Sequence, residues 1–201
     1  LSVIIPTLNE ASELPEALKH ARAIPEVKEI IAVDAGSTDD TKAIAREHNC
    51  IVLESEPSRG KQLRLGAQRA SGDVVLLLHA DTWLPENAGA VISETLVRPL
   101  VVAGGFYKRF RDGGAWPGSR LRCWLLWALT NRLFGDQAIF VKRDVLEQCS
   151  GVPDVPLMEE FELCKILAAH GRLALAPATV LTSARKFRKH GSLKTHWLMT
   201  H

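Results

Sequence analysis

Five short polar segments in this chain carry side chains suited to holding anions or moving protons. Thr7-Leu8-Asn9-Glu10 follows the apolar run Leu1 to Pro6, Asp34-Ala35-Gly36-Ser37 follows Ile30 to Val33, and His79-Ala80-Asp81 follows Val74 to Leu78. A carboxylate such as Asp34, after a buried strand and before a glycine, can accept hydrogen bonds from a nucleobase or ribose; equally, it can cap the next helix or tie its own turn. Asp81 suits a hard divalent cation carrying phosphate oxygens, with His79 as a borderline ligand. Its other reading is a cap before Pro85, and that of His79 is a satisfied rim histidine. Arg59-Gly60-Lys61-Gln62 ahead of a helix is a weak anion signature, or a solvated charged turn. Glu159-Glu160-Phe161-Glu162 offers carboxylates for general-base work, or an acidic helix start favoured by the dipole. Glu162 lies three residues from Glu159, so the two can share a helix face.

The elements that carry these groups alternate between strand and helix. Leu1 to Pro6 reads as a strand stopped by proline, and Ser12 as the cap of a helix running to about Ala23. Strands follow at Glu29–Val33, Cys50–Leu53 and Val74–Leu78, with helices ending near His48 and spanning Lys61 to Ser71. The fourth strand is apolar throughout, as a strand buried on both faces would be. Such alternation predicts an α/β protein with a mostly parallel sheet and right-handed crossovers. Ligands in such sheets bind beyond the carboxyl ends of the strands, so the first three polar segments belong to one rim. Beyond Pro85 the pattern is less regular: helices at Pro85–Val97, Leu121–Phe134 and Glu159–Ala169, strands at Ala103–Phe110 and Ala138–Val141, a turn at Arg111–Gly114, and a strand-like Leu173–Leu181.

The chain has 201 residues, 46% hydrophobic and 24% charged, with a formal net charge of +2, so it is long enough for a single well-formed core and its balance suggests no nucleic-acid partner. Cys50, Cys123, Cys149 and Cys164 form no C-x-x-C pair, which argues against a zinc knuckle and for reduced thiols in a cytoplasmic protein. No stretch has the length of a membrane span or the form of a signal peptide.

Read together, Val3-Ile4-Ile5-Pro6-Thr7-Leu8-Asn9-Glu10, Val33-Asp34-Ala35-Gly36-Ser37-Thr38-Asp39 and Gly72-Asp73-Val74 with His79-Ala80-Asp81 resemble the nucleotide-sugar half of glycosyltransferase family 2. Gly135-Asp136-Gln137-Ala138-Ile139-Phe140-Val141 and Leu157 to Leu163 resemble its acceptor-side and catalytic segments. The nearest subgroup is the small bacterial transferase 2 set associated with radical-SAM/selenodomain proteins. The resemblance implies a GT-A fold, with a nucleotide-sugar half at residues 1–82 and an acceptor half at 83–201. It further implies inverting transfer of a sugar from a nucleoside-diphosphate-sugar donor to a small-molecule or lipid acceptor. On it, Pro6, Leu8, Glu10, Asp34, Gly36, Ser37, Gly60, Lys61 and Ala80 would line the donor. Asp81, with His79 or His190, would hold Mn²⁺ or Mg²⁺. Asp136, Gln137 and Glu159 would face the acceptor, Glu160 would be the general base, and Arg185, in the basic stretch Arg185 to His190, would neutralise the departing diphosphate.

Three departures stand out: Ala35 replaces the second acid of Asp-Asp-Gly-Ser, His79 the first acid of Asp-x-Asp, and Glu160 the usual catalytic aspartate. They keep a non-catalytic sugar-nucleotide-binding partner subunit as the alternative. A nucleotidyltransferase fits less well, because no glycine loop follows the first strand, and a dehydrogenase fits poorly without G-x-G-x-x-G. Leu121 to Leu129, with two tryptophans and nearby arginines, suits peripheral contact with the inner face of a membrane, packing on the sheet, or a homodimer contact.

Overall fold

The computed structural model describes residues 1–111, 119–155 and 158–184. Its centre is an eight-stranded sheet in the order β3-β2-β1-β4-β7-β6-β8-β5. The strands are β1 (Ser2–Thr7), β2 (Glu29–Asp34), β3 (Ile51–Glu54), β4 (Val74–Leu77), β5 (Thr82–Trp83), β6 (Val101–Phe110), β7 (Ile139–Lys142) and β8 (Arg172–Thr182). The helices are α1 (Leu14–Arg22), α2 (Thr41–Glu47), α3 (Arg59–Arg69), α4 (Ala88–Leu96), α5 (Ser119–Thr130), α6 (Arg143–Gln148) and α7 (Glu159–Ala168), with one 3₁₀ turn at Gly135–Gln137.

The first four strands pair in parallel, as their helical crossovers require. The second half departs from that rule. β7 enters antiparallel between β4 and β6, β8 runs parallel to β6, and the short β5 closes the edge antiparallel to β8. The sheet is therefore mixed, with its parallel part on the side of the first three polar segments.

Side-chain alternation along the strands builds a core on each face. Val3 and Ile5 of β1 join Leu14 and Leu18 of α1 and Val91 and Ile92 of α4. Ile4, between them, joins Leu63 of α3 and Leu163 and Leu167 of α7. α3 sits so close to β1 that a β-carbon at Gly66 would stand 2.4 Å from Ile4 Cγ2.

Several boundaries differ from the sequence reading. β1 continues through Pro6 to Thr7. Ile4 turns its carbonyl toward the β4 side, where it accepts from Leu78 N–H at 2.9 Å. Pro6, two residues on, faces that side past the end of β4, so its missing N–H removes no ladder bond. Ser12 is not the cap of α1; Glu13 holds that position without a side-chain bond, and Pro15 enters the first turn. α5 stops at Thr130, because Asn131 takes a left-handed conformation at φ 50°. β6 begins two residues earlier than expected, at Val101. β5 and α6 had no separate signal, being two and six residues long. Most of the expected turn at Arg111–Gly114 lies outside the described residues.

Candidate active site

The carboxyl ends of β1 and β2 are locked to each other by polar side chains. Asp34, almost wholly buried, accepts from the N–H groups of Gly36 (3.0 Å) and Ser37 (2.8 Å) on Oδ1. Its Oδ2 accepts from Thr7 Oγ1 (3.1 Å) and Ser37 Oγ (2.5 Å). A carboxylate offers about four acceptor positions. All four are taken here, so the expected contact from Asp34 to a base or ribose gives way to a structural role: it shapes the loop. Gly36, at φ 88°, makes the turn that brings both N–H groups back onto the carboxylate. Ser37 Oγ in turn accepts from Asn9 N–H at 2.9 Å, and Asn9 Oδ1 accepts from Thr38 N–H at 2.9 Å. Glu10 N–H donates to Thr41 Oγ1 at 2.9 Å, which ties the β1 loop to the start of α2. Leu8 projects from this loop and is exposed.

Gln62 completes the rim from the other side. Its Nε2 donates to the carbonyls of Thr7 (3.0 Å) and Val33 (2.7 Å), fastening α3 across the ends of both strands. The sequence reading quoted Gln62 only as part of an anion motif, since a lone helical glutamine carries no signal of what it reaches. The rest of that motif is placed differently from expectation. α3 already starts at Arg59, capped by Ser58, whose Oγ accepts from Lys61 N–H. Gly60 lies inside the first turn, where a β-carbon would stand 2.6 Å from the Pro153 carbonyl. Lys61 directs its ammonium to Glu56 at the surface.

Arg59, unassigned in the sequence, is the member of that motif that turns toward the chemistry. Its Nε lies 3.4 Å from Glu159 Oε1, joining the first turn of α3 to the first turn of α7. Glu159 is buried; Glu162 pairs instead with Lys165 at 3.3 Å, so the shared helix face does not become a shared role. Beside the Arg59–Glu159 pair a narrow slot is lined by Leu77, His79, Gly135, Glu159 and Glu160. The fold thus brings together the end of β4, the 3₁₀ turn and the start of α7, from three distant stretches of sequence.

Within the slot Glu160 is mostly buried, and its Oε2 has no hydrogen-bond partner among the described residues. Burial pushes its carboxyl above the ordinary glutamate range, and the neighbouring Glu159 adds to the rise; Arg59 and the Gly135 backbone pull the other way without cancelling it. Gln137 is wholly buried and structural: its Nε2 donates to the Phe106 carbonyl (3.0 Å) and its Oε1 accepts from Phe134 N–H (2.8 Å). Asp136 pairs with Lys108, and its Oδ1 is buried without a partner among the described residues.

Asp81 and Ala80 are buried at the end of β4, where Ser183 N–H donates to the Asp81 carbonyl at 3.3 Å. Among the described residues no cluster of three or more His, Cys, Asp or Glu side chains is placed to hold a metal ion. The donor set fits a cation that takes most of its ligands from phosphate and water, as Mg²⁺ and Mn²⁺ do at phosphate sites, and not a protein cage. Arg185 and His190 lie outside the described residues.

A parallel half-sheet, joined to a mixed half-sheet that delivers carboxylates to its rim, is the arrangement of a GT-A glycosyltransferase fold. The glycosyl transferase family 2 model matches residues 2–150, and the chain belongs to that family. A PGL/p-HBAD biosynthesis glycosyltransferase from Mycobacterium bovis is 34% identical over 157 residues, covering 71% of this chain and 59% of the relative. Glucosyl-3-phosphoglycerate synthase from Mycobacterium tuberculosis is 28% identical over 126 residues, covering 54% of this chain and 38% of the relative. The chain spans between about a third and three-fifths of the length of the curated relatives it matches. Among solved structures, the mannosyltransferase from Pyrobaculum calidifontis in complex with GDP-Man and Mn²⁺ superposes with a TM-score of 0.74 at 23% identity, covering 95% of this chain and 59% of that one.

Proposed function

We propose that this chain is the transferase domain of an inverting enzyme that moves a sugar from a nucleoside-diphosphate-sugar donor to an acceptor hydroxyl. The observation that carries the reading is the buried Glu160 Oε2, without a hydrogen-bond partner among the described residues, in a slot shared with His79 and Glu159. Residues 1–82 then hold the nucleotide sugar and residues 83–201 present the acceptor. Pro6, Leu8, Glu10, Gly36, Ser37 and Ala80 stand on the donor rim. Asp136 and Glu159 stand on the acceptor side.

A general base needs an oxygen not already committed to a donor. Glu160 Oε2 meets that need, and Arg59 holds Glu159 beside it, so the negative charge of the pair is partly balanced. In the reaction the acceptor O–H proton passes to Glu160, the acceptor oxygen bonds to the anomeric carbon, and the bond from that carbon to the diphosphate breaks. Its electron pair leaves with the nucleoside diphosphate. Asp81, with His79, would hold Mn²⁺ or Mg²⁺, which when bound supplies positive charge to the diphosphate oxygens. Arg185 and His190 would act from the C-terminal stretch in the same sense. The narrower placement in the radical-SAM-associated subgroup is part of this reading, as are a lipid or small-molecule acceptor and a cytoplasmic setting.

A non-catalytic sugar-nucleotide binder is the alternative, because Ala35, His79 and Glu160 stand where the family pattern has aspartates. Titration calorimetry with UDP, GDP and dTDP, each with Mn²⁺ and with EDTA, followed by a nucleotide-release assay on the matching donor sugars, separates the two. Metal-dependent binding with release, abolished in Glu160→Gln, supports the transferase. Binding without release over a broad acceptor screen supports the binder.

A further inference from the structure

Among the described residues, none covers the apolar side of helix α5. Leu121, Trp124, Leu125 and Leu129 are exposed, and their spacing places them along one face. No Asp or Glu occurs from Ser119 to Phe134, while Arg120, Arg122 and Arg132 do. Between α5 and strands β6 and β8 lies a cavity of about 260 Å³, lined by Tyr107, Trp124 and Trp127, with Arg98 and Arg172 among its lining residues. Both arginines are exposed, and neither pairs with a described carboxylate. The indole Nε1 of Trp127 is buried with no acceptor among the described residues. Among the described residues no carboxylate lines the cavity.

We propose that this face docks on an anionic phospholipid surface. The α5 row enters the interfacial layer, and Arg98, Arg172 and the Trp127 N–H receive a headgroup phosphate. An apolar row with tryptophan and arginine beside it is the composition of an interfacial helix. A bare apolar partner would leave the cations and the indole N–H unanswered. A second copy, meeting this face by two-fold symmetry, would bring the arginines of both α5 helices, Arg120 and Arg122, close together with no Asp or Glu on that helix to answer them.

The site stands apart from the transfer reading. Arg172 opens β8, whose far end at Thr182 abuts the Asp81 segment. Eleven strand residues span roughly 30 Å at about 3.3 Å each. Changes at Arg172 therefore lie far from the Asp81 segment.

The test is co-sedimentation of the purified chain with phosphatidylcholine vesicles and with vesicles enriched in phosphatidylglycerol. We expect at least tenfold tighter binding to the anionic vesicles, with quenching of tryptophan emission by bromine-labelled chains. Leu125→Glu with Leu129→Glu, two exposed positions that folding does not need, abolishes it. Arg98→Gln with Arg172→Gln weakens it about tenfold to thirtyfold, since each basic residue contributes about one factor of five at such a surface. Nucleotide titration is unchanged in both variants. Equal binding to neutral vesicles, no binding to either, or binding indifferent to the arginine pair overturns the proposal. So does a concentration-dependent dimer, seen by light scattering, that Leu129→Glu dissolves in the absence of vesicle binding.

Discussion

Gly135 and His79 approach so closely that a β-carbon at position 135 would stand 2.8 Å from His79 Nε2. The glycine belongs to the 3₁₀ turn ahead of β7, and the histidine ends the β4 segment. Their contact joins the two halves of the sheet at the slot where the carboxylates collect. Nothing local demands a glycine there, since Gly135 has no positive φ. The constraint comes from the imidazole across the slot.

Gly135→Ala should therefore displace His79 without unfolding the chain. Groups that orient a metal ligand typically account for about tenfold to a hundredfold in metal affinity. We expect Mn²⁺-dependent nucleotide affinity to fall about tenfold by calorimetry, with Tm little changed. Unchanged affinity would place His79 outside the metal site.

Glu160→Gln should separate function from stability. The native carboxyl titrates above the ordinary glutamate range because it is buried beside Glu159. As a base it must be ionised, so the acid limb of kcat/KM should lie above the pH at which an exposed glutamate titrates, and transfer should fall at least about a hundredfold in the variant. The stability sign is opposite. A folded-state pKa raised above the unfolded value means that the folded chain loses stability as pH rises from the unfolded value through the folded one. Above that window the neutral glutamine avoids the penalty, so the variant should melt a few degrees higher at neutral pH. A lower Tm at neutral pH would contradict the burial argument.

Asp34 should prove structural. Asp34→Ala strands two N–H groups and two hydroxyls at a buried site, which costs about 2–4 kcal/mol. Asp34→Asn should cost less, because the Thr7 and Ser37 hydroxyls can rotate to accept where they now donate. Denaturant titration reads both. A variant that keeps full stability yet loses nucleotide binding would return Asp34 to direct ligand contact.

Gln62 gives a second structural test at the same rim. Gln62→Leu leaves the Thr7 and Val33 carbonyls without the side-chain donor they now share, at a cost of about 1–3 kcal/mol. Because those carbonyls end β1 and β2, hydrogen exchange should quicken in the loops after both strands and remain slow in β7.

Asp81→Asn tests the metal. The variant should bind nucleotide equally with Mn²⁺ and with EDTA, at the weaker of the two wild-type affinities. A difference retained between the two conditions would move the ion to another carboxylate.

The amino-acid sequence by itself determined the class of sheet, the succession of its first four strands along the chain and the rim on which the polar loops lie. These follow from local quantities: apolar runs of strand length, helical periodicity between them, and the rule that places ligands at carboxyl ends. It also pointed to His79, Asp81, Glu159 and Glu160 as candidates. Only the tertiary structure decided what each carboxylate does. Asp34 and Glu160 look alike in sequence, each an acid beside a turn or a helix start. One folds onto two N–H groups and two hydroxyls; the other has an oxygen without a partner among the described residues, beside a Glu159 that pairs with Arg59, 100 residues upstream. Partners so far apart in the chain leave no periodic trace. The same reason hid the antiparallel entry of β7 and the reach of Gln62, since a hydrogen bond across a fold depends on where two backbones arrive, and no single segment encodes that.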